Sequence, residues 1–362
     1  MTAVGDVLEL SYGKALKASD RDGGPVPVVG SGGIVGGHSI GITDSPTIVV
    51  GRKGSIGSVT WIDGPAWPID TAYFVKPRRD DLDRRWAFWM LRSLGMETLT
   101  TSAAIPGLNR DDVYRLSVEV PALPEQRRIA AILDHADALL AKRRQVLTHL
   151  GSLTPSIFTE MFPGEPEPGR VPLSDLATLV TKGTTPTSVG LKFSSDGVPF
   201  LRAQNLQHGT VAFGPGDFFI DEDADLALKR SRIMPRDLLI SIAGTIGRVA
   251  LVPDESPTMN CNQAVAIVRL HQLDRGPWLR AWLASSDALS QIGASAVTGT
   301  ISNLSLGQIR QLRVPVVGEQ EVEEFNRRSV SVEGAKNAVA DAAAAEHELF
   351  NSLQTRAFRG EL

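Results

Sequence analysis

Apolar positions along the chain fall into two alternating textures. From residue 1 to about 120, and again from about 163 to 318, short runs of β-branched and aromatic residues are bounded by Gly and Pro. PVPVV, TIVVG, SVTWI and YFVKP are the first set; VPFLR, DLLISIA, RVALVP and AVAIVRL are the second. Apolar runs of this length between turn residues predict strands. WAFWMLRSLGMETL and WLRAWLASSDALSQI carry apolar residues at spacings of three and four and predict helices. Each region is therefore expected to be an α+β globe with mostly sheet.

The second texture follows each globe. Ile129, Ile132, Ala136, Leu139, Arg143, Val146, Leu150, Leu153 and Ile157 step by three and four, with Leu133, Leu140 and Leu147 as a flanking row. That is a heptad seam, wider than a bare two-position stripe. A helix from Glu125 to Phe158 would be roughly 50 Å long, and Pro155 is expected to break or kink it near Thr154. From Glu319 onward Val322, Phe325, Val332, Val339, Ala343, Phe350 and Leu353 repeat the spacing, and the small VADAAAAE stretch allows close helix approach. A continuous apolar seam must be buried, and the simplest partner is its own copy. An antiparallel pair of helices with a globe at each end, a dumbbell of pseudo-twofold symmetry, satisfies both connections.

The halves are in fact one text written twice. VGDVLEL from Val4 answers to LSDLATL from Leu173, and PVVGSGGIVGG from Pro27 to PFLRAQNLQHG from Pro199. IVVGRKGSIGSV, ending at Val59, answers to LLISIAGTIGRV, ending at Val249, and IDTAYFV from Ile69 to CNQAVAIV around Asn262 and Gln263. IPGLNRDDVYRL, PALPEQ and GSLTPSIF then answer in order to ISNLSLGQIRQL, PVVGEQ and NSLQTRAF. Seven matches in one order make an internal repeat. The drift in offset places an insertion of about 18 residues near Gly209 to Asp237, counted on the repeat. The expected organisation is a globe at 1–120, a helical spacer at 121–162, a second globe at 163–318 and a second spacer at 319–362.

Composition narrows the chemistry. A single cysteine, Cys261, permits no internal disulfide and no multi-cysteine metal site, which fits a reducing cytoplasm. No basic-then-apolar leader and no run of about 18 apolar residues occurs, so neither export nor membrane spanning is expected. None of the six histidines, His38, His135, His149, His208, His271 and His347, sits with another at a metal-ligand spacing. VGSGGIVGG fails the dinucleotide pattern because Val35 takes the last glycine position and no helix follows, so it reads as a turn. Phosphate-loop and nucleophile-elbow motifs are absent too.

What remains suits nucleic acid. GSIG and GTIG occupy equivalent places. A tight backbone bend explains their glycines, and their amides with the Ser55 or Thr245 hydroxyl could also approach a phosphate. Arg202, Gln204 and Asn205 bring side chains able to pair with base edges. Lys229, Arg230 and Arg232 lie in the insertion, and Arg248 follows GTIG. The first globe offers Arg52 and Lys53 before GSIG, and Lys76, Arg78 and Arg79 in KPRR. Any one of these taken alone reads first as a solvated surface charge; the set is what two divergent readers on one scaffold would need.

With P-x-x-P-E-Q at Pro121 to Gln126 leading into a long helix, the paired GSIG and GTIG turns and the ending SLQTRAFRGEL, the chain resembles the specificity subunit of Type I restriction-modification systems. The resemblance implies that each globe reads one half of a bipartite, asymmetric target in double-stranded DNA, with the helices as a ruler between them. It implies two modification subunits docked along the helical region, and the seam residues Ile129, Ile132, Leu139, Val146, Leu150, Leu153, Val322, Phe325, Val339, Phe350 and Leu353 are the candidate coiled-coil and partner positions. Those partners would methylate adenine with S-adenosylmethionine, and restriction subunits would use ATP, while this chain binds no cofactor and catalyses nothing. No N/D-P-P-Y/F methylase motif occurs in it. The rival reading is a structural scaffold of β-rich globes on a coiled coil that holds partner proteins without touching DNA.

The formal charge of -4 looks contrary to DNA binding. By segment, however, the globes hold 13 basic against 14 acidic and 14 against 14 residues, while the final helix holds 5 against 9. The excess acid lies away from the expected reading surfaces, and near-neutral globes imply weak binding by the isolated chain, with partners completing the clamp.

Overall fold

The short apolar runs become strands, and they are ordered alike in both halves. The computed structural model describes residues 1–44, 46–99, 107–163, 169–214, 216–295 and 303–362. They form two compact units, residues 1–145 with 339–362, and residues 146–338.

In the first unit, strands β1 (Leu8–Tyr12), β2 (Val26–Gly30), β3 (Gly33–His38), β4 (Thr47–Gly51), β5 (Val59–Ile62), β6 (Trp67–Pro68) and β7 (Ala72–Pro77) build two sheets. One is antiparallel in the order β1-β7-β4-β5; the other runs β3-β2-β6, with β6 parallel to β2. Helix α1 (Arg84–Ser93) is capped by Asp83, whose carboxylate accepts the Trp86 N–H at 2.9 Å. Its Trp86 and Trp89 are wholly buried in a core with Val4, Leu8, Leu10 and Tyr73. The long helix α2 (Leu123–Met161) begins beyond it.

The second unit repeats the plan with β8 (Ala177–Lys182), β9 (Val198–Leu201), β10 (Phe218–Ile220), β11 (Leu238–Ser241), β12 (Val249–Leu251), β13 (Asn260–Cys261) and β14 (Val265–Leu270). Its sheets run β8-β14-β11-β12 and β10-β9-β13, again with the last pair parallel. WLRAWLASSDALSQI becomes two helices, α3 (Gly276–Leu283) and α4 (Ser286–Ser295), because the chain breaks at the Ala284–Ser285 step. Trp278 and Trp282 are buried as their α1 counterparts are. The second long helix is α5 (Glu319–Ala357).

Non-ladder hydrogen bonds repeat as faithfully as the strands. Val4 N–H donates to the Leu116 carbonyl at 2.9 Å, and Leu173 to Leu312 at 2.9 Å. Arg52 donates to Thr71 at 2.9 Å, and Ile242 to Ala264 at 2.8 Å. Leu108 donates to Arg52 at 2.9 Å, and Leu304 to Ile242 at 3.0 Å. Gly13 and Gly183 follow the equivalent edge strands, each where a Cβ would lie about 2 Å from a carbonyl oxygen, of Ile69 and of Cys261 respectively. Only glycine fits so close an approach.

Three sequence expectations change. First, the extra chain of the second unit is not one block at 209–237. It falls on both sides of β10: residues 202–217 hold a hairpin (Leu206–Gln207 with Thr210–Val211), and 221–237 hold a helix (Glu222–Ala227) and a turn (Lys229–Ser231). Strand β3 thus answers to β10 and not to the NLQHG run, which shares only an order of polar and apolar residues with it. Second, Pro155 does not end α2, which continues to Met161. The Ser152, Ser156 and Thr159 hydroxyls donate to the carbonyls of His149, Ser152 and Pro155, drawing on acceptors along the turns around the proline. Third, the seam is rotated. Gln126, Leu133, Leu140 and Thr154 are buried, whereas Leu139, Val146 and Leu153, placed in the seam by spacing, are each about 40 % exposed and Ile132 is half-buried. Ile129 is buried and Leu150 half-buried; in α5 Val322, Phe325 and Phe350 are buried, Val339 and Leu353 half-buried.

Packing explains the rotation. In the first unit Ile129, Leu133 and Leu140 join the core of Trp86 and Trp89 together with Phe350 and Ala357. Trp89 stacks edge-on to Phe350 at 5.6 Å, and the Arg143 guanidinium pairs with the Glu346 carboxylate at 2.9 Å. Residue 129 lies with 357 and 143 with 346, so the two helical segments of this unit run in opposite directions. In the second unit Phe158 and Phe162 of the first helix region meet Phe325 of α5 and Trp278 of α3, with ring centroids 5.7–6.0 Å apart. The matched segments that open at residues 105 and 301 begin outside the described residues; their remainders form the short helices Arg110–Tyr114 and Leu306–Arg310.

Candidate nucleic-acid interface

The two Gly-x-x-Gly turns have one construction. Gly54 and Gly57, like Gly244 and Gly247, all have positive φ between 73° and 86°, and the second glycine of each donates back to the end of the preceding strand, Gly57 to Gly51 at 2.9 Å and Gly247 to Ser241 at 3.0 Å. The backbone bend accounts for the glycines. Ser55 and Thr245 stand exposed at the tips, and Arg248 is exposed after the second turn.

In the first unit the candidate cations differ in their freedom. Arg79 is closed onto Asp81 by two hydrogen bonds of 2.8 and 2.6 Å, which pull the Asp81 carboxyl below its usual range. Arg78 lies over the Tyr114 ring and donates to the Gly5 carbonyl at 2.7 Å; Lys76 lies over Phe74. Lys53 is exposed, its backbone bridged to Gly107. Arg52 stacks on Tyr12, 4.9 Å from the ring centroid, and donates to the Asp70 carbonyl at 3.1 Å. Glu9 sits among these groups; the Ser11 hydroxyl above all holds its carboxyl below the ordinary value against the opposing effect of burial, with lesser help from Lys76, Arg78 and Arg110.

In the second unit the RAQN segment divides. Asn205 is buried, its amide donating to the Ala212 carbonyl and the Asp217 carboxylate while its oxygen accepts the Arg202 N–H. A side chain spent this way shapes its loop and offers no edge to a base. Gln204 is exposed, and Arg202 is half-buried with its guanidinium 4.1 Å from the Phe218 ring. Arg232 pairs with buried Asp225 at 2.6 Å, so its charge serves the interior, whereas Lys229 and Arg230 are exposed and make no ion pair among the described residues. Cys261 is fully buried, which pushes its thiol far above the usual value and makes it unreactive.

Sequence reading missed Tyr12 and Arg110. The Arg110 guanidinium lies 5.0 Å from the centroid of the same Tyr12 ring that carries Arg52. No enzymatic constellation accompanies these groups: among the described residues no cluster of His, Cys, Asp and Glu could hold a metal ion, and no helix is long and apolar enough to cross a membrane.

The two globes share one framework and carry different polar side chains at matching positions, and a long helix follows each. Residues 1–149 match the Type I restriction modification DNA specificity domain. The chain is 22 % identical to the Type I restriction enzyme EcoBI specificity subunit of Escherichia coli over 351 residues, covering 87 % of this chain and 73 % of that protein. In sequence the chain is thus similar to the Type I restriction-modification specificity subunits. It is also 27 % identical to the EcoprrI specificity subunit of Escherichia coli over 142 residues, 38 % of this chain and 35 % of that one. In fold, the Type I specificity subunit from M. genitalium matches with a TM-score of 0.61 at 15 % identity, over 98 % of this chain and 95 % of that one. A chain from a structure of type I system assembly and conformational transition matches at 0.60 and 16 % identity, over 100 % and 97 %. At these identities the likeness is one of fold, and it spans both repeats of the chain.

Proposed function

We propose that each globe reads one half of a bipartite, asymmetric DNA target and that the long helices fix the gap between the halves. The observation that carries this is the pairing of an identical hydrogen-bonded framework with unlike surfaces: where the first globe has Tyr12, Arg52 and Arg110, the second has Lys182, Ile242 and Leu306. Identical readers would fit a symmetric site; divergent readers on one framework fit two different half-sites. The chain itself is non-catalytic and recruits two adenine-methylating modification subunits that use S-adenosylmethionine, and restriction subunits that use ATP, in the cytoplasm. Leu139, Val146 and Leu153, apolar and exposed at heptad spacing, are available to such partner helices.

The test is domain exchange. Replacing residues 1–120 with the recognition domain of another specificity subunit, then mapping methylated adenines in a host carrying the modification subunits, is expected to change one half-site and leave the other and the gap intact. A change in both halves, or in neither, overturns the reading.

A further inference from the structure

Tyr12 ends the edge strand β1 and is half exposed, although Leu8 and Leu10, on the same face, are fully buried. Two guanidinium groups lie against its ring, Arg52 at 4.9 Å and Arg110 at 5.0 Å, and Tyr73 supports it from the neighbouring strand at 5.1 Å. Arg52 and Arg110 are nearly sixty residues apart in sequence and are brought together because the Leu108 N–H is bonded to the Arg52 carbonyl. Holding two cations on one ring is unfavourable unless something offsets their repulsion. The ring quadrupole offsets part of it. Neither arginine has a carboxylate within ion-pair distance among the described residues; Glu9 acts on Arg110 only at longer range. Exposed Lys53 and the open Gly54 turn adjoin Arg52.

We propose that Tyr12, Arg52 and Arg110 form a clamp for the DNA phosphate backbone in the first recognition domain. This rests on the DNA-reading function argued above and names the residues and the contact. Phosphate is favoured over a base because Arg52 already ties one nitrogen of its fork to the Asp70 carbonyl, which hampers the bidentate pairing guanine requires but leaves a charged donor for an anion. A neighbouring lysine adds charge without a directional code. The second globe has no such ring with two guanidinium groups at Lys182, Ile242 and Leu306; two of its exposed cations, Lys229 and Arg230, lie on the added segment. The two readers therefore grip the backbone with different elements of one framework.

The experiment uses the full chain assembled with its modification subunits and a duplex carrying the target mapped by methylation. The double variant Arg52→Gln/Arg110→Gln is expected to flatten the plot of log affinity against log salt by about 1.8, about 0.9 for each lost phosphate contact. Between 50 and 200 mM salt the wild type should then lose about tenfold more affinity than the variant. The methylated sequence should stay the same. Arg110→Gln alone, at a side chain that makes no hydrogen bond among the described residues, should give half the change in slope and guards against misfolding of the double variant. An unchanged slope overturns the clamp, and an altered half-site sequence replaces it with base reading. If the wild-type complex itself shows no sequence-specific footprint, it is the DNA-reading function that fails.

Discussion

Gln126 accepts the backbone N–H of Asp83 at 2.7 Å while its amide donates to the carbonyls of Asp81 at 3.0 Å and Pro121 at 2.9 Å. The side chain is wholly buried and thereby joins the start of α2 to the start of α1. Gln126→Ala would leave three backbone groups without partners at a buried helix origin, an expected loss of about 2–4 kcal/mol. Urea denaturation of the complete chain measures it. The sequence-matched Gln320 is exposed and makes no side-chain hydrogen bond among the described residues, so Gln320→Ala should change stability by less than about 0.5 kcal/mol. Equal losses at the two positions would mean that the Gln126 hydrogen bonds do not set its contribution to stability.

Leu139 and Leu140 are neighbours with opposite surroundings, 41 % and 5 % exposed. Truncating buried Leu140 to Ala opens a cavity beside the tryptophan core and should cost about 2–4 kcal/mol. Leu139→Ala should cost well under about 1 kcal/mol in the isolated chain, because little area is lost there. If the exposed row receives partner helices, the same Leu139→Ala should weaken assembly with the modification subunits, measurable by analytical ultracentrifugation of the mixture.

Much of the fold was readable from the sequence because strand cores constrain residue type on a short period. VPFLR and PVPVV, or TIVVG and DLLISIA, occupy matching strands. The placement of the insertion was not readable, since its two parts flank β10 and a linear comparison merges them. The helix seam was ambiguous for a different reason: the rows 132/139/146/153 and 133/140/147 are both apolar and share the row 129/136/143/150/157 between them. Only the globe, by covering one side with Trp86 and Trp89, decides which row turns inward. At the site, residue types were legible but partners were not. Asp81 lies two residues from Arg79, while Asp225 neutralises Arg232 from across a helix and a turn. Tyr12 left one trace, an aromatic ring at the position where the repeat has Lys182.

Arg230 and Arg232 should separate stability from binding. Arg232→Gln leaves the buried Asp225 carboxylate without its cation and is expected to destabilise the second unit by about 2–3 kcal/mol, less than a fully buried pair because the arginine is partly exposed. Arg230→Gln should leave thermal stability within about 0.5 kcal/mol of wild type and lower the salt slope of DNA binding by about 0.9. Loss of stability in the second variant, or of binding alone in the first, would reverse these assignments.

Asp287 gives the second unit an acid-sensitive joint. Burial raises its pKa, but hydrogen bonds from Arg170 at 2.8 Å, Trp282 at 3.0 Å and Gln291, with the Arg170 charge, outweigh burial and hold the carboxyl below its ordinary value. A carboxyl with a depressed folded pKa contributes stability that is present above the unfolded value, about 4, and is lost as pH falls through the folded one. Asp287→Asn should therefore cost about 1 kcal/mol or less at pH 7, the pair being partly open to solvent. The difference from wild type should shrink as pH falls below about 4 and disappear once pH is below the folded pKa. Chemical denaturation across that range checks the sign.

The ruler reading makes its own quantitative demand. Insertion into a heptad-seamed helix keeps every side chain on its face only in steps of seven, because four residues turn the seam and redirect Leu133-type positions to the surface. Seven residues added after Leu140, and seven added near Val339 of α5 so that the opposed segments stay matched, lengthen each helix by about 10 Å. At 3.4 Å per base pair that is about three base pairs. Mapping methylated adenines with the paired insertion should show both half-site sequences unchanged and the gap wider by about three base pairs. The single insertion should reduce assembly and methylation, since it leaves one helix without register. An unchanged gap in the paired variant would mean that separation is set by the partner subunits, and the helices of this chain would be reduced to a docking surface.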